Sequence, residues 1–90
     1  MPTVLIPAPF RGTTRNVAEI EVAPGTIVDC LKQVEAGNPG FLELVIDADE
    51  RVHRWIKLYV NKELIDAGEA RDRKLDDGDR LEVLAAVAGG

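Results

Sequence analysis

The sequence predicts an α+β fold in which a mixed sheet of four to five strands carries one main helix packed across it. Three observations predict it. A clear helical period occurs in one stretch, where Ile27, Val28, Leu31 and Val34 fall on a single apolar stripe. Alternation of period two recurs in separate runs, at Val17–Val22, Trp55–Val60 and Arg80–Val87. The helical stretch lies between the first two of these runs, so one helix must cover the apolar face that all the strands present.

Ninety residues, 46% of them apolar, suit one compact domain over 1–90 with a flexible tail at about 86–90. So small a core leaves little material for a pocket of its own, which favours a small domain serving a larger partner over autonomous catalysis. A formal charge of −5 argues against nucleic acid and anionic membranes, since both are engaged through clustered Lys and Arg. Cys30 is the only cysteine, so no intramolecular disulfide forms, and no apolar run approaches the roughly 18 residues that span a bilayer. Met1–Pro7 lacks the basic segment and cleavage site of a signal peptide, and the expected location is the cytoplasm.

Taken in order, Thr3–Ile6 is a short β-branched strand closed by Pro7 and Pro9, which remove backbone donors. A loop at Phe10–Thr14 leads to the second strand, with Glu19 and Glu21 on one face, so that the two strands form a hairpin. Pro24-Gly25 ends that strand, and Thr26 followed by Asp29 forms a capping box that starts the helix. Gly37 supplies the C-terminal cap and Asn38-Pro39-Gly40 prevents continuation. Phe41–Ile46 fits a short helix under the sheet, although a run of this length also fits a strand. After a polar loop at Asp47–Arg51, Ile56, Leu58 and Val60 share one face of a strand and Trp55, Lys57 and Tyr59 the other. Asn61–Glu63 turns into a short edge segment at Leu64-Ile65, and Leu75 anchors an otherwise polar stretch. The turn Asp76–Asp79 launches the last strand, whose Leu81, Val83, Ala85 and Val87 point inward and Arg80, Glu82, Leu84 and Ala86 outward. One helix across such a sheet is the β-grasp, or ubiquitin-like, layout, with the first and last strands side by side.

Few residues carry chemistry of their own. Cys30 lies on the helix among apolar neighbours and reads as a small buried hydrophobe, because a reactive thiol needs exposure and an electropositive setting. His53 has no second ligand or nucleophile nearby and reads as a surface residue. Asp47, Asp49 and Glu50 lack the spacing and glycine of a calcium loop, and Asp76, Asp77 and Asp79 fit turn chemistry. No phosphate loop, metal-ligand cluster or nucleophile–base pair appears, so no catalytic, metal or cofactor-binding residue is assigned. Trp55, Tyr59, Leu84 and Ala86 are different, because the alternation that buries their neighbours turns them to the opposite face. Isolated apolar residues on a surface are ordinary. Trp and Tyr together on one sheet face are typical interface anchors, and we read the four as a partner-binding patch.

The final strand runs into Val87-Ala88-Gly89-Gly90. Glycine has no Cβ, so such an end is thin enough to thread into a narrow site on a partner. At average glycine usage a terminal pair arises by chance in roughly one chain in two hundred, so the pair gains meaning only from the fold in front of it. A cloning remnant would read the same.

These residues resemble the ThiS/MoaD family of ubiquitin-like sulfur carriers. The resemblance covers essentially the whole chain and rests on the element order, the Asp77-Gly78-Asp79 turn before the last strand, and Val87-Ala88-Gly89-Gly90. His53-Arg54-Trp55-Ile56 leading to Tyr59-Val60-Asn61, with Ala86-Val87-Ala88-Gly89-Gly90, is similar to the branch that carries sulfur for cysteine biosynthesis.

The resemblance implies a carrier protein, not an enzyme, that works through the carboxylate of Gly90, with Gly89, Ala88 and Val87 as the threading tail. A ubiquitin-activating-type enzyme would adenylate Gly90 with its own ATP and magnesium. A sulfur donor would then displace AMP to leave a thiocarboxylate. In the cysteine branch the acceptor is an aminoacrylate on a pyridoxal-phosphate-dependent synthase, and a metalloprotease releases the product. Molybdopterin or thiamine synthesis, or conjugation of Gly90 to proteins as a ubiquitin-like modifier, are the alternatives the same motif allows.

Overall fold

The computed structural model describes residues 1–86. Strand β1 (Thr3–Leu5) ends where Pro7 opens a 3-10 turn at Ala8–Phe10. The chain returns as β2 (Glu19–Glu21), antiparallel to β1 with Thr3 opposite Glu21 and Leu5 opposite Glu19. The hairpin is therefore present, with a long connection in place of a tight turn. Its loop is held from inside: the buried Thr14 hydroxyl donates to the Val17 carbonyl at 2.8 Å, and Arg11 Nε donates to the Ile6 carbonyl at 3.0 Å. These bonds satisfy polar groups that burial would otherwise penalise.

Helix α1 (Ile27–Gly37) begins at the capping box read from the sequence. The Asp29 amide donates to Thr26 Oγ1 at 3.0 Å, and the Thr26 amide donates to Asp29 Oδ2 at 3.3 Å. The apolar stripe Ile27, Val28, Leu31 and Val34 is buried, and Cys30 with it. The C-terminal end corrects the expectation for Gly37, which is the last helical residue, whereas Asn38 is the cap. Asn38 Nδ2 donates to the Val34 carbonyl at 3.0 Å and its amide to that of Glu35 at 3.1 Å. An amide side chain thus satisfies carbonyls that a left-handed glycine would satisfy through backbone alone. The left-handed glycine comes later, at Gly40 with φ +100°.

Phe41 is fully buried and leads into the short helix α2 (Leu42–Val45), as expected. The Glu35 carboxylate accepts the amides of Gly40 and Leu42, the latter at 2.8 Å, and so ties α2 to the end of α1.

Strand β4 (Ile56–Val60) joins β5 (Glu63–Leu64) through Asn61 and Lys62, both with positive φ, which is the geometry of a type I′ turn. Asn61 also braces the next turn, since its Nδ2 donates to Asp79 Oδ1 and its Oδ1 accepts the Arg80 amide, each at 2.9 Å. Strand β6 (Lys74–Leu75) pairs with β3 (Gly25–Thr26) in a small antiparallel sheet that the sequence did not announce. Ala70, just ahead of it, is buried although its polar surroundings gave no sign of this.

Strand β7 (Arg80–Ala85) completes a five-stranded sheet of order β2-β1-β7-β4-β5. It runs parallel to β1 and antiparallel to β4, so the first and last strands do lie side by side. Val4, Ile56, Leu58, Val60, Leu81 and Val83 form the inner face, over which α1 packs with Leu31 and Val34. This is the β-grasp layout. Among the described residues no helix is long and apolar enough to cross a membrane.

Candidate functional site: the outer sheet face and the tail exit

Strand β7 organises the site because it is the central strand and the one that leads to the tail. Its alternation sends Leu81 and Val83 into the core, so Arg80, Glu82 and Leu84 face outward. Beyond the strand, the Ala86 amide donates to the Trp55 carbonyl at 2.7 Å. The last described residue is therefore still fastened to the start of β4. Val87, Ala88, Gly89 and Gly90, read as the threading and reactive tail, lie outside the described residues.

Tyr59 and Leu84 lie on the outer face of β4 and β7, whereas Trp55, expected to open its strand, sits in the turn before β4, and Ala86 follows the end of β7. Trp55 is 48% exposed and Leu84 39%, Ala86 is exposed and Tyr59 is half-buried. Strand register decides how they combine. Lys57 stands opposite Leu84 and Glu82 stands opposite Tyr59, which splits the surface into two apolar areas separated by charge. Trp55, Ala86 and Leu84 make the area nearest the tail. Tyr59 makes the other with Leu64, its partner on β5, which is 59% exposed. Leu5, opposite Glu82 on β1, extends the same cross-sheet row. The sequence reading missed Leu64 and Leu5. For Leu64 a signal was present, since adjacent residues of a strand face opposite ways, so that Leu64 and Ile65 could not both point to the core, and Ile65 is the buried one. Leu5 and Leu84 also line a groove with Pro7, Pro9, Arg11 and Glu82 beside β7.

His53 is more than a surface residue. Its ring stacks on the Trp55 indole with centroids 4.5 Å apart and planes 7° from parallel. Nε2 lies 2.9 Å from the Glu43 carbonyl, so the proton belongs on Nε2 if that bond is made. The stack is a product of the turn at 53–56, which the Ile56 amide closes by donating to the His53 carbonyl at 2.9 Å.

Other chemistry-bearing residues take structural places. Cys30 is fully buried, and its thiol lies 3.6 Å from the Ala23 carbonyl. Burial, with the Asp29 carboxylate as a smaller cause, pushes the thiol pKa up and disfavours the thiolate. Asp47 Oδ1 accepts the amides of Arg51 and Asp49, and the Arg51 bond chiefly lowers its pKa. Glu50 meets Lys32 and, at 3.9 Å, Arg71. Asp79 is held below its ordinary pKa first by the Asp76 amide and then by Asn61. Asp77 meets the N-terminal amine at 2.9 Å. Among the described residues no group of three or more His, Cys, Asp or Glu side chains is gathered as a metal site would require.

A helix clasped by a five-stranded mixed sheet, with an aromatic outer face at the point where a glycine-ended segment departs, defines a small ubiquitin-like β-grasp protein. The family model for the ThiS family matches residues 4–90, and the chain belongs to that family. It is 30% identical over 90 residues to the sulfur carrier protein CysO of Mycobacterium tuberculosis strain H37Rv, covering 98% of this chain and 97% of that one. The CysO of Mycobacterium bovis matches to the same extent. Among solved structures, the Amycolatopsis orientalis BexX/CysO complex contains a chain superposing with a TM-score of 0.86 at 32% identity, over 100% of both chains. Mycobacterium tuberculosis CysO superposes with a TM-score of 0.85 at 27% identity, over 97% of this chain and 100% of that one. SAMP1 from Haloferax volcanii, at 20% identity and a TM-score of 0.74, shares the fold.

Proposed function

We propose that this protein is a sulfur carrier whose Gly90 carboxylate is converted to a thiocarboxylate that donates sulfur in cysteine biosynthesis. The observation that carries the reading is the likeness to sulfur carrier proteins named CysO over 98% of the chain, together with a family match that runs through residue 90. A fold that presents an exposed aromatic face next to the departure of Val87-Ala88-Gly89-Gly90 supports it.

The chemistry follows from what a carboxylate lacks. Its charge is delocalised, so it is a poor electrophile, and oxide is a poor leaving group. In the first step a Gly90 oxygen attacks the α-phosphorus of ATP and pyrophosphate leaves, giving an acyl-adenylate. In the second, a hydrosulfide-level donor adds to the carbonyl carbon, the C–O bond to AMP breaks, and a thiocarboxylate remains. The sulfur is now a nucleophile held covalently, and free sulfide is avoided. ATP and magnesium belong to a ubiquitin-activating-type adenylating enzyme that docks on Trp55, Tyr59, Leu84 and Ala86. A pyridoxal-phosphate-dependent synthase accepts the sulfur on an aminoacrylate, and a metalloprotease releases cysteine from Gly90. The chain itself contributes a reactive carboxylate and a docking face; its one thiol, Cys30, is buried and takes no part.

The test is reconstitution. The chain incubated with the adenylating enzyme, ATP and a sulfur donor, then with the synthase and O-activated serine, should yield cysteine attached at Gly90. Formation of the thiocarboxylate without transfer to the synthase would assign the sulfur to another pathway.

A further inference from the structure

We propose that His53 is a positioning residue that fixes the Trp55 indole as a rigid edge beside the tail exit, and thereby sets the affinity with which the adenylating enzyme docks. The inference rests on the docking reading above and adds to it a residue that makes none of the docking contacts named there. Three observations carry it. First, the stack is nearly parallel, with 7° between the planes and 4.5 Å between centroids, the geometry of an offset-stacked pair, so one ring rests against part of the other's face. Second, the His53 ring is itself anchored, because Nε2 reaches the Glu43 carbonyl of α2 at 2.9 Å. Third, the Trp55 carbonyl accepts the Ala86 amide at 2.7 Å, so the residue whose ring is held also fastens the backbone from which the tail departs. A continuous line of contacts runs from α2 through His53 and Trp55 to Ala86.

The stack is not needed to hold this segment in place. The His53 amide donates to the Val45 carbonyl at 3.0 Å, Ile46 and Val52 form a β-bridge, and the His53 carbonyl accepts the Ile56 amide. All of these are backbone contacts and survive loss of the ring. Trp55 is 48% exposed and lies outside the core, so the ordering of its indole has little to do with folding. Its value lies in docking. A long exposed side chain loses rotamer freedom when a partner covers it, and one that is already ordered loses less.

A double-mutant cycle on the full chain tests this. The measurements are the Kd for the host's adenylating enzyme and acrylamide quenching of the fluorescence of Trp55, the only tryptophan. His53→Ala should weaken docking by about three- to tenfold, the worth of one side chain's ordering, and should raise quenching. In the Trp55→Ala background the same change should have no further effect. His53→Phe, which keeps a ring to stack, should recover most of the affinity, and His53→Gln, which keeps only a polar reach toward Glu43, should not. Thermal unfolding of each variant should stay cooperative. An equal loss from His53→Ala in both backgrounds would overturn the positioning role, as would a Trp55→Ala defect with His53→Ala and His53→Phe both neutral. If Trp55→Ala leaves Kd unchanged, the docking reading fails and the inference fails with it, a result distinct from the other two.

Discussion

Leu84→Glu puts a carboxylate in the apolar area nearest the tail, where its effects on the fold and on docking separate. Leu84 is 39% exposed, so about three-fifths of it is already covered by neighbours within the sheet. With about 1.5–3 kcal/mol for burying a whole leucine side chain, the folded protein stands to lose about 1–2 kcal/mol and should still unfold cooperatively. Lys57, directly opposite on β4, offsets part of the new charge in the free protein. Docking is hit harder. A partner would cover the remaining two-fifths, worth about 0.6–1.2 kcal/mol, and that gain is lost. The carboxylate must also lose water beneath the partner, which costs more than the roughly 1–3 kcal/mol of an unpaired neutral group. The sum of at least about 2 kcal/mol corresponds to a Kd raised by about thirtyfold or more. Calorimetric titration against the adenylating enzyme measures it directly. A Kd within threefold of the parent, on a variant shown to be folded, would refute the assignment of this face to docking.

Tyr59→Ala should weaken the same binding by about tenfold, the scale of a truncated interface anchor, and should also cost at least as much stability as Leu84→Glu, since Tyr59 is the more covered of the two, so cooperative unfolding of the variant is checked alongside its Kd. Unaltered binding would confine the interface to the Trp55 and Leu84 area. Thr26→Ala removes the acceptor of the Asp29 amide and should cost about 1 kcal/mol, a drop of about 4–8 °C in Tm by calorimetry. Cys30 should resist alkylation until the chain unfolds. Its raised pKa means the folded chain keeps this proton longer than the unfolded one. The stability it supports is complete below the ordinary thiol pKa and is lost as pH rises through the raised value, so denaturant titrations should show an alkaline decline that Cys30→Ala lacks.

What could be read from the sequence was whatever depended on near neighbours. The capping box joins Thr26 to a residue three positions away, and the stripe from Ile27 to Val34 needs only the helical period. Alternation likewise gave the buried and exposed members of β4 and β7. Features made by distant partners were hidden. The pairing of Gly25-Thr26 with Lys74-Leu75 involves two residues on each side and leaves no periodicity to detect. Gly37 was a reasonable helix stop, but the Asn38 side chain took over the capping, which only its bond to the Val34 carbonyl reveals.

The site divides in the same way. That Tyr59 and Leu84 face outward follows from alternation, yet the placement of Lys57 against Leu84 and Glu82 against Tyr59 follows from register between strands far apart in the chain. His53 read as surface because no ligand or nucleophile accompanies it in sequence. Its role depends on a turn that brings its ring over Trp55 and on a carbonyl in α2. Only geometry supplies either.

Sulfur transfer through the Gly90 carboxylate can be read by intact-mass spectrometry. The chain is incubated with its adenylating enzyme, ATP and a sulfur donor, alongside a version extended by extra residues after Gly90. The parent should gain the mass of one oxygen-for-sulfur exchange, located in the C-terminal fragment, and the extended chain should gain nothing. No exchange in the parent with the cognate enzyme, or equal exchange in both chains, would contradict a sulfur carrier that works through Gly90.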